Sequence, residues 1–239
     1  MGKSTFAALT VMHLGEATHE VVLAVDADPN ANLGAKLGTE PGRTLGSIRE
    51  EVLAKDGDRP ESMSKQDIID YQVRLALKEG KSFDLLTMGR QEGPGCYCYV
   101  NNLLRTIVDS LSDKYQYVVV DNEAGMEHLS RRTTRSPDVL FILCDSSRAS
   151  IDSAKRISKL ADEMKISPAR KVLVFNTLDA AADGPPIKEM PGFDAVYGVR
   201  RSSSIQARTA QTDSLAALPR TDLAFADIAR IVDLERKRR

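Results

Sequence analysis

The sequence predicts an α/β protein with a doubly wound, mostly parallel sheet that carries helices on both faces. Short apolar runs rich in β-branched residues alternate with longer helix-patterned stretches, which is typical of successive βαβ units. The chain has 239 residues, of which 42% are hydrophobic, so one domain over residues 1–239 can bury a full core. Some of the apolar runs end in aspartate, and the carboxyl ends of parallel strands form the edge at which open α/β sheets bind ligands.

The predicted elements follow from hydrophobic periodicity. Strands are predicted at the short apolar runs Val21–Val25, Phe83–Thr87, Tyr117–Val120, Val139–Leu143, Val172–Phe175 and Ala195–Val199. Helices are predicted where apolar residues recur at helical spacing, over Ser4–Gly15, Leu103–Leu111, Ile151–Met164 and Leu223–Lys237. The first helix is expected to place Phe6 and Leu9 on one inner side.

Charge and composition narrow the function classes. The chain carries 33 Lys and Arg side chains against 34 Asp and Glu side chains, so no global basic field would attract nucleic acid or an anionic membrane. The apolar runs are far shorter than the roughly 20 residues that a membrane span needs, and no signal peptide is recognisable. We therefore expect a cytoplasmic protein without a nucleic-acid partner or a membrane span.

The residues Gly2-Lys3-Ser4-Thr5 precede a predicted helix and match the second half of a phosphate-binding loop. In such a loop, backbone N–H groups cradle the phosphates, the lysine reaches the outer ones and the hydroxyl binds Mg²⁺. This assigns the phosphates to Lys3, the Mg²⁺ ion to Ser4 and an inner phosphate to Thr5. We expect the central first strand and the other half of the loop to precede Met1; without them, ATP binding is predicted to be weak or lost.

Aspartates follow two of the predicted strands. The first strand leads into Asp26-Ala27-Asp28-Pro29, and the strand Tyr117–Val120 leads into Asp121. An apolar strand that ends in aspartate at the phosphate edge is the Walker B arrangement, whose carboxylate holds Mg²⁺ through its water shell. For either aspartate alone, a helix cap or a turn residue is the favoured interpretation. Together with Gly-Lys-Ser, they favour nucleotide hydrolysis.

Two of the three cysteines form the sequence Cys96-Tyr97-Cys98 in a glycine-rich loop before a predicted helix. This spacing is poorly suited to a structural disulfide and better suited to metal or redox chemistry in a reducing compartment. Two thiolates supply half of the four ligands that a tetrahedral site prefers. A single chain therefore supplies only half of a metal site at Cys96 and Cys98, and further ligands must complete it. Cys144, at the end of an apolar run, is interpreted as a small buried hydrophobe.

Four motifs resemble the deviant Walker P-loop ATPases that include MinD, ParA and the nitrogenase iron protein. They are Gly2–Thr5, Asp26–Pro29, Val120–Gly125 and Phe175–Thr177. The resemblance implies ATP and Mg²⁺ as ligands, an ATP-dependent dimer, and Asp28 as the catalytic residue that orients the attacking water. In a family that dimerises, the simplest completion of the cysteine site is the same pair from a second subunit. Cys96 and Cys98 of each subunit are then expected to bind Ni²⁺ or Zn²⁺ at the dimer interface. It also implies that Asp121 is the switch II aspartate and that Asn176 contacts adenine.

The Cys-x-Cys motif, followed shortly by Asn101, and the run Glu123–Arg131 resemble one branch, the CooC-type maturation ATPases. This resemblance implies a metallochaperone that assists nickel insertion into carbon monoxide dehydrogenase or acetyl-CoA synthase, with the apoenzyme as partner. A MinD- or ParA-like positioning ATPase is an alternative, for which the basic stretch Arg230–Arg239 is the candidate surface. A second alternative is an iron-protein-like electron-transfer ATPase, which needs two separated cysteines per subunit to hold its cluster.

Overall fold

The computed structural model describes residues 2–40, 42–48, 71, 74–90, 98–123 and 136–238, with the backbone alone for residues 98–103. Its helices are α1 (Lys3–Thr18), α2 (Asn32–Leu37), α3 (Cys98–Ser112), α4 (Arg148–Glu163), α5 (Ser203–Thr209) and α6 (Leu223–Arg236). Its strands are β1 (Val22–Ala27), β2 (Leu77–Glu79), β3 (Phe83–Thr87), β4 (Tyr117–Asn122), β5 (Val139–Cys144), β6 (Arg170–Leu178) and β7 (Ala195–Arg200).

All the strands and helices predicted from the sequence are confirmed, with bounds that shift by a few residues at either end. The prediction missed the short elements α2, α5 and β2, whose lengths leave too few residues for a periodic pattern to stand out. Helix α2 also begins after Ala31, which has a left-handed backbone with φ of 53°.

The prediction that α1 carries Phe6 and Leu9 on its inner side is confirmed, since their exposed fractions are 6% and 0%. Burial extends further than predicted: it continues without a break from Phe6 to Met12, and Ala8 and Val11 are also fully buried. This helix is apolar on nearly every side, as expected of a helix that runs through a core.

The described residues form two compact units, of which the first comprises the described parts of Val11–Glu123. Its four strands lie in the order β2-β3-β1-β4, with β1 parallel to both β3 and β4 and with β2 antiparallel to β3. Every residue of β1 is buried. Helix α3 packs its apolar side chains into the same core as this sheet, through Leu104, Ile107, Val108 and Leu111.

The second unit comprises the described parts of Met1–Thr10 and Ala124–Arg239. Its three strands are parallel in the order β5-β6-β7. Helix α4 contacts β5, helix α6 contacts β7, and the rings of Phe6 and Phe141 pack with centroids 5.1 Å apart. In the two sheets, every pairing between described strands except β2–β3 is parallel, which confirms the predicted mostly parallel α/β fold. The organisation as one domain stays a prediction.

Ion pairs attach helix α6 to the strands of the second unit. Asp227 accepts two hydrogen bonds of 2.8 Å from the guanidinium of Arg200, and Glu235 pairs with Arg170. The hydroxyl of Tyr197 donates to Glu235 over 2.7 Å. Among the described helices, none has the length and the apolar composition required to cross a membrane.

Candidate functional site

Two buried carboxylates lie side by side at the carboxyl ends of β1 and β4. In the parallel register of these strands Asp26 is the partner of Asp121, and their exposed fractions are 0% and 3%. Burial raises the pKa of Asp26 to about 7; the charge of Asp121 also raises it, against the lowering effect of the Leu33 N–H group. Two adjacent buried carboxylates repel each other, so a proton on one of them, or a cation beside them, stabilises the pair.

The donor set of this pair fits Mg²⁺. Proteins commonly hold Mg²⁺ through one or two carboxylates, with substrate phosphates and water completing its shell. Among the residues with described side chains, no group of three or more His, Cys, Asp or Glu is placed to hold a metal ion by itself. The carboxylate oxygens of Asp26 and Asp121 are therefore of the type that Mg²⁺ accepts, and the Mg²⁺ role of Asp121 stays a prediction.

The loop after β1 is held by the side chain of Asp26. Its Oδ1 accepts a hydrogen bond from the N–H of Asp28 over 3.2 Å, and its Oδ2 accepts one from the N–H of Leu33 over 2.8 Å. Asp26 therefore fixes both ends of the loop that carries Asp28. No separate role was predicted for Asp26 from the sequence, although its position at a strand end, two residues before Asp28, could have indicated one.

Asp28 lies in this loop and is half-buried. Its Oδ1 accepts hydrogen bonds from the backbone N–H and from the Nδ2 of Asn30, over 2.8 and 3.0 Å. One carboxylate oxygen of Asp28 thus closes a turn, which agrees with the interpretation of this aspartate as a turn residue. The turn does not use Oδ2, so a role for Asp28 toward water is compatible with its role in the loop.

The predicted phosphate-binding residues stand at the start of α1 in the second unit. The helix begins at Lys3, and the N–H of Phe6 donates to the carbonyl of Gly2 over 2.9 Å. The N–H groups of a helix's first turn have no acceptor within the helix, and they attract anions. Lys3, Ser4 and Thr5 in this turn are half-buried, and the turn holds no acidic residue.

Gly2 and Asn176 are brought together although they lie far apart in sequence. Gly2 has φ of +77°, and a Cβ atom added there would lie 2.6 Å from Nδ2 of Asn176. Both the backbone conformation and the lack of space favour glycine at this position. Gly2, predicted as part of the phosphate-binding loop, and Asn176, predicted to contact adenine, are therefore neighbours.

A polar cleft of about 670 Å³ opens at the carboxyl ends of β6 and β7 in the second unit. Thr177, the residue after Asn176, lines it with φ of +60°, in the irregular part of the β6–β7 pairing between Phe175 and Leu178. The remaining lining is mostly polar and consists of Asp179, Ala180, Arg201, Ser202, Ser203, Ser204, Gln206, Pro219, Thr221, Asp222 and Leu223. The volume is within the range of ligand pockets for small molecules.

The cysteine motif falls largely outside the described residues. Cys96 is not among them, nor is the 124–135 segment, and Cys98 is described only as the backbone start of α3. The metal site at Cys96 and Cys98 therefore stays a prediction. Cys144 is 1% exposed, and burial raises the pKa of its thiol to about 11, which confirms its assignment as a small buried hydrophobe.

No known protein-family model matches the chain. An uncharacterized ATP-binding protein of Methanocaldococcus jannaschii is 46% identical over 168 residues, which cover 70% of this chain and 66% of that protein. The chain thus matches slightly less than two thirds of this relative's length. The carbon monoxide dehydrogenase accessory protein CooC of Rhodospirillum rubrum is 28% identical over 220 residues, which cover 87% of this chain and 82% of CooC.

Solved structures share the fold. The septum site-determining protein MinD of Pyrococcus horikoshii, complexed with Mg-ADP, has a TM-score of 0.64 and 17% identity, and the match covers 97% of this chain and 90% of MinD. At this identity the likeness establishes the fold alone.

Proposed function

We propose that this chain, which has the α/β fold of MinD-type P-loop ATPases, hydrolyses ATP and handles a metal ion for the maturation of carbon monoxide dehydrogenase or acetyl-CoA synthase. The observation that carries the ATPase part is the buried pair Asp26 and Asp121, followed by the loop of Asp28. Adjacent buried carboxylates at a strand edge make a site for the Mg²⁺ of a nucleotide.

The proposal gives each predicted residue a separate task. Lys3 and the first-turn N–H groups of α1 bind phosphates, with the hydroxyls of Ser4 and Thr5 serving Mg²⁺ and the inner phosphate. Asp121 holds Mg²⁺ through water, and Mg²⁺ when bound neutralises charge on the phosphates. Asp28 orients the attacking water, since positioning and charge neutralisation account for most of the catalysis of phosphoryl transfer.

The cleft beside Thr177 supports a place for the nucleoside. It adjoins Asn176 in sequence and lies at the sheet edge where α/β proteins bind ligands. We propose that Asn176 contacts the adenine there.

The first half of the phosphate-binding loop stays a prediction. Translation of the genomic DNA upstream of Met1 would test it.

The catalytic assignment is tested by Asp28→Ala. This variant should lose ATP turnover while it binds a fluorescent ATP analogue as the wild type does. Asp145→Ala is the matched control, because Asp145 also follows a strand and accepts a hydrogen bond from the backbone two residues later, over 2.9 Å. Full turnover in Asp28→Ala, or an equal loss in Asp145→Ala, would contradict the assignment.

The metal-handling part is supported by CooC, a carbon monoxide dehydrogenase accessory protein that matches over 82% of its length, and by the Cys-x-Cys sequence. We propose a homodimer that binds one Ni²⁺ or Zn²⁺ ion between the Cys96 and Cys98 pairs of its subunits. Cys96→Ser with Cys98→Ser should lose the metal and weaken ATP-linked dimerisation, whereas Cys144→Ala should keep both. Metal analysis and light scattering, with and without ATP, measure the two properties. Unchanged metal content in the double variant would refute the metallochaperone role.

Two observations disfavour the alternatives. Most of the basic C-terminal stretch belongs to α6, whose apolar residues Phe225, Ile228 and Ile231 are buried, so these three side chains are not available to a membrane. The buried thiol of Cys144 is a poor ligand for an iron–sulfur cluster. Co-sedimentation with liposomes or DNA in the presence of ATP would favour a positioning ATPase, and iron with sulfide in the purified protein would favour electron transfer.

A further inference from the structure

Arg90 contacts the loop that carries Asp28, from a position 60 residues away from that loop's Asn30 in sequence. One Nη of Arg90 donates to Oδ1 of Asn30 over 2.7 Å. Asn30 in turn donates to Oδ1 of Asp28, from its backbone N–H over 2.8 Å and from Nδ2 over 3.0 Å. A chain of three polar side chains therefore ends at the carboxylate proposed to act on the attacking water.

The guanidinium decides which way the amide of Asn30 faces. An asparagine amide has an acceptor end and a donor end, whereas an arginine can only donate. With Oδ1 of Asn30 held by Arg90, Nδ2 points at the Asp28 carboxylate, where a donor is needed. The reversed amide would set an oxygen against that carboxylate and an NH₂ group against the guanidinium, and both contacts are repulsive.

The backbone before Arg90 is anchored to the same loop. The N–H of Met88 donates to the carbonyl of Asp26 over 2.9 Å. Gly89 has φ of +68°, and a Cβ atom added there would lie 2.4 Å from Cβ of Thr44, so this turn is closely packed. The backbone before Arg90 and the loop of Asp28 are thus both attached to Asp26 at the end of β1.

We infer that Arg90 is a positioning residue for ATP hydrolysis: through Asn30 it orients the Asp28 carboxylate so that Oδ1 closes the turn and Oδ2 serves the attacking water. The inference rests on the proposed role of Asp28. Arg90 and Asn30 are exposed, so the effect of each is that of one ordinary hydrogen bond. Loss of such a bond corresponds to about a 3- to 10-fold change in rate.

The test uses the full chain with Mg²⁺ and ATP. Arg90→Ala and Asn30→Ala should each lower kcat by about 3- to 10-fold, while the dissociation constant of the nucleotide changes by less than about 2-fold. The double variant should be no slower than Asn30→Ala, because Arg90 acts through Asn30. Arg105→Ala is the matched control. Arg105 is an arginine of the same unit that pairs with Asp109 at 3.5 Å, and its replacement should leave kcat unchanged.

Several results would overturn the inference. They are a wild-type kcat in Arg90→Ala, additive losses in the double variant, or nucleotide binding that weakens as much as kcat, which would indicate a merely structural role. If Asp28→Ala keeps full turnover, the proposed function fails; if Asp28→Ala is inactive and Arg90→Ala is not impaired, only the present inference fails.

A readout independent of turnover follows from the orientation of the amide. The two side-chain amide protons of Asn30 should be well separated in the NMR spectrum of the wild type, since one donates to a carboxylate. In Arg90→Ala they should move toward the values of a solvated asparagine, and in Arg105→Ala they should not move. Amide shifts that are identical in Arg90→Ala and wild type would refute the inference whether or not the protein hydrolyses ATP.

Discussion

Replacing Gly2 by alanine is expected to weaken nucleotide binding more than it destabilises the fold. A Cβ atom at Gly2 would lie 2.6 Å from Nδ2 of Asn176, so either atom must move by about 0.5 Å or more before the contact is tolerable in a packed structure. Movement of Gly2 disturbs the start of α1, and movement of Asn176 displaces the proposed adenine contact. Either shift should raise the dissociation constant of ATP by about 5- to 10-fold, the equivalent of one lost hydrogen bond.

Gly192→Ala is the matched control for this prediction. Gly192 also has a positive φ, +87°, yet the nearest atom to an added Cβ is Oγ of Ser158 at an ordinary 3.6 Å. The left-handed backbone alone should cost about 1 kcal/mol of unfolding free energy in Gly192→Ala and leave nucleotide binding unchanged. Because Gly2 is exposed at the start of a helix, the chain there can relax, and Gly2→Ala should lose less than that.

Urea unfolding and titration with a fluorescent ATP analogue separate the two effects. The expected pattern is reciprocal, with Gly192→Ala less stable but fully able to bind and Gly2→Ala stable but weak in binding. Equal affinity of the two variants for the nucleotide would refute the reasoning that the Gly2–Asn176 contact belongs to the binding site. Asn176→Ala, which removes the clash, should bind weakly with either residue at position 2.

Two further predictions concern buried carboxylates. In Mg²⁺-free protein, Asp26 keeps its proton up to a pKa of about 7 in the fold but loses it near 3.8 when unfolded, so the folded state holds the extra proton between these values. The stabilisation by protonated Asp26 is therefore lost as pH rises from about 4 to 7, by up to about 1.4 kcal/mol of unfolding free energy per pH unit. Asp26→Asn should remove this pH dependence, measured by urea unfolding at several pH values. The same pH dependence in the wild type and in Asp26→Asn would contradict the prediction. Asp227→Ala should cost about 2 kcal/mol or more, because it leaves the partly buried guanidinium of Arg200 without its bidentate partner. In the same thermal unfolding assay, Lys159→Ala, which breaks an exposed pair with Glu163, should change stability by less than about 0.5 kcal/mol, and equal losses would contradict the difference in burial.

The predicted strands and longer helices agree with the structure because their signals are local. The run Phe83–Thr87 is bounded as predicted, and β1 and β4 each extend two residues past the predicted end, so that they include Asp26 and Asp121. The extent of burial along α1 could not be predicted in this way, since a helix apolar on most sides carries no period that tells which sides are buried. The six residues of α2 and the three of β2 are too short to have a recognisable period.

The candidate site divides along the same line. The predictions for Lys3 and Asp121 come from short motifs, because phosphate and Mg²⁺ chemistry favours these residue types at the starts of helices and the ends of strands. Those for Asp28 and Asn176 come from the family resemblance, and all four stay predictions. The role of Asp26 in fixing the loop was not recognisable, because its two hydrogen bonds reach backbone groups that the motif does not specify.

The sequence by itself determined the α/β class, the positions of the main strands along the chain and the residue types available for nucleotide chemistry. Each of these depends on patterns within a few consecutive residues. Only the tertiary structure decided that Asp26 lies beside Asp121, that Gly2 meets Asn176 and that Arg90 reaches Asn30. These contacts join residues tens of positions apart or more, and their geometry depends on how strands pair and loops close.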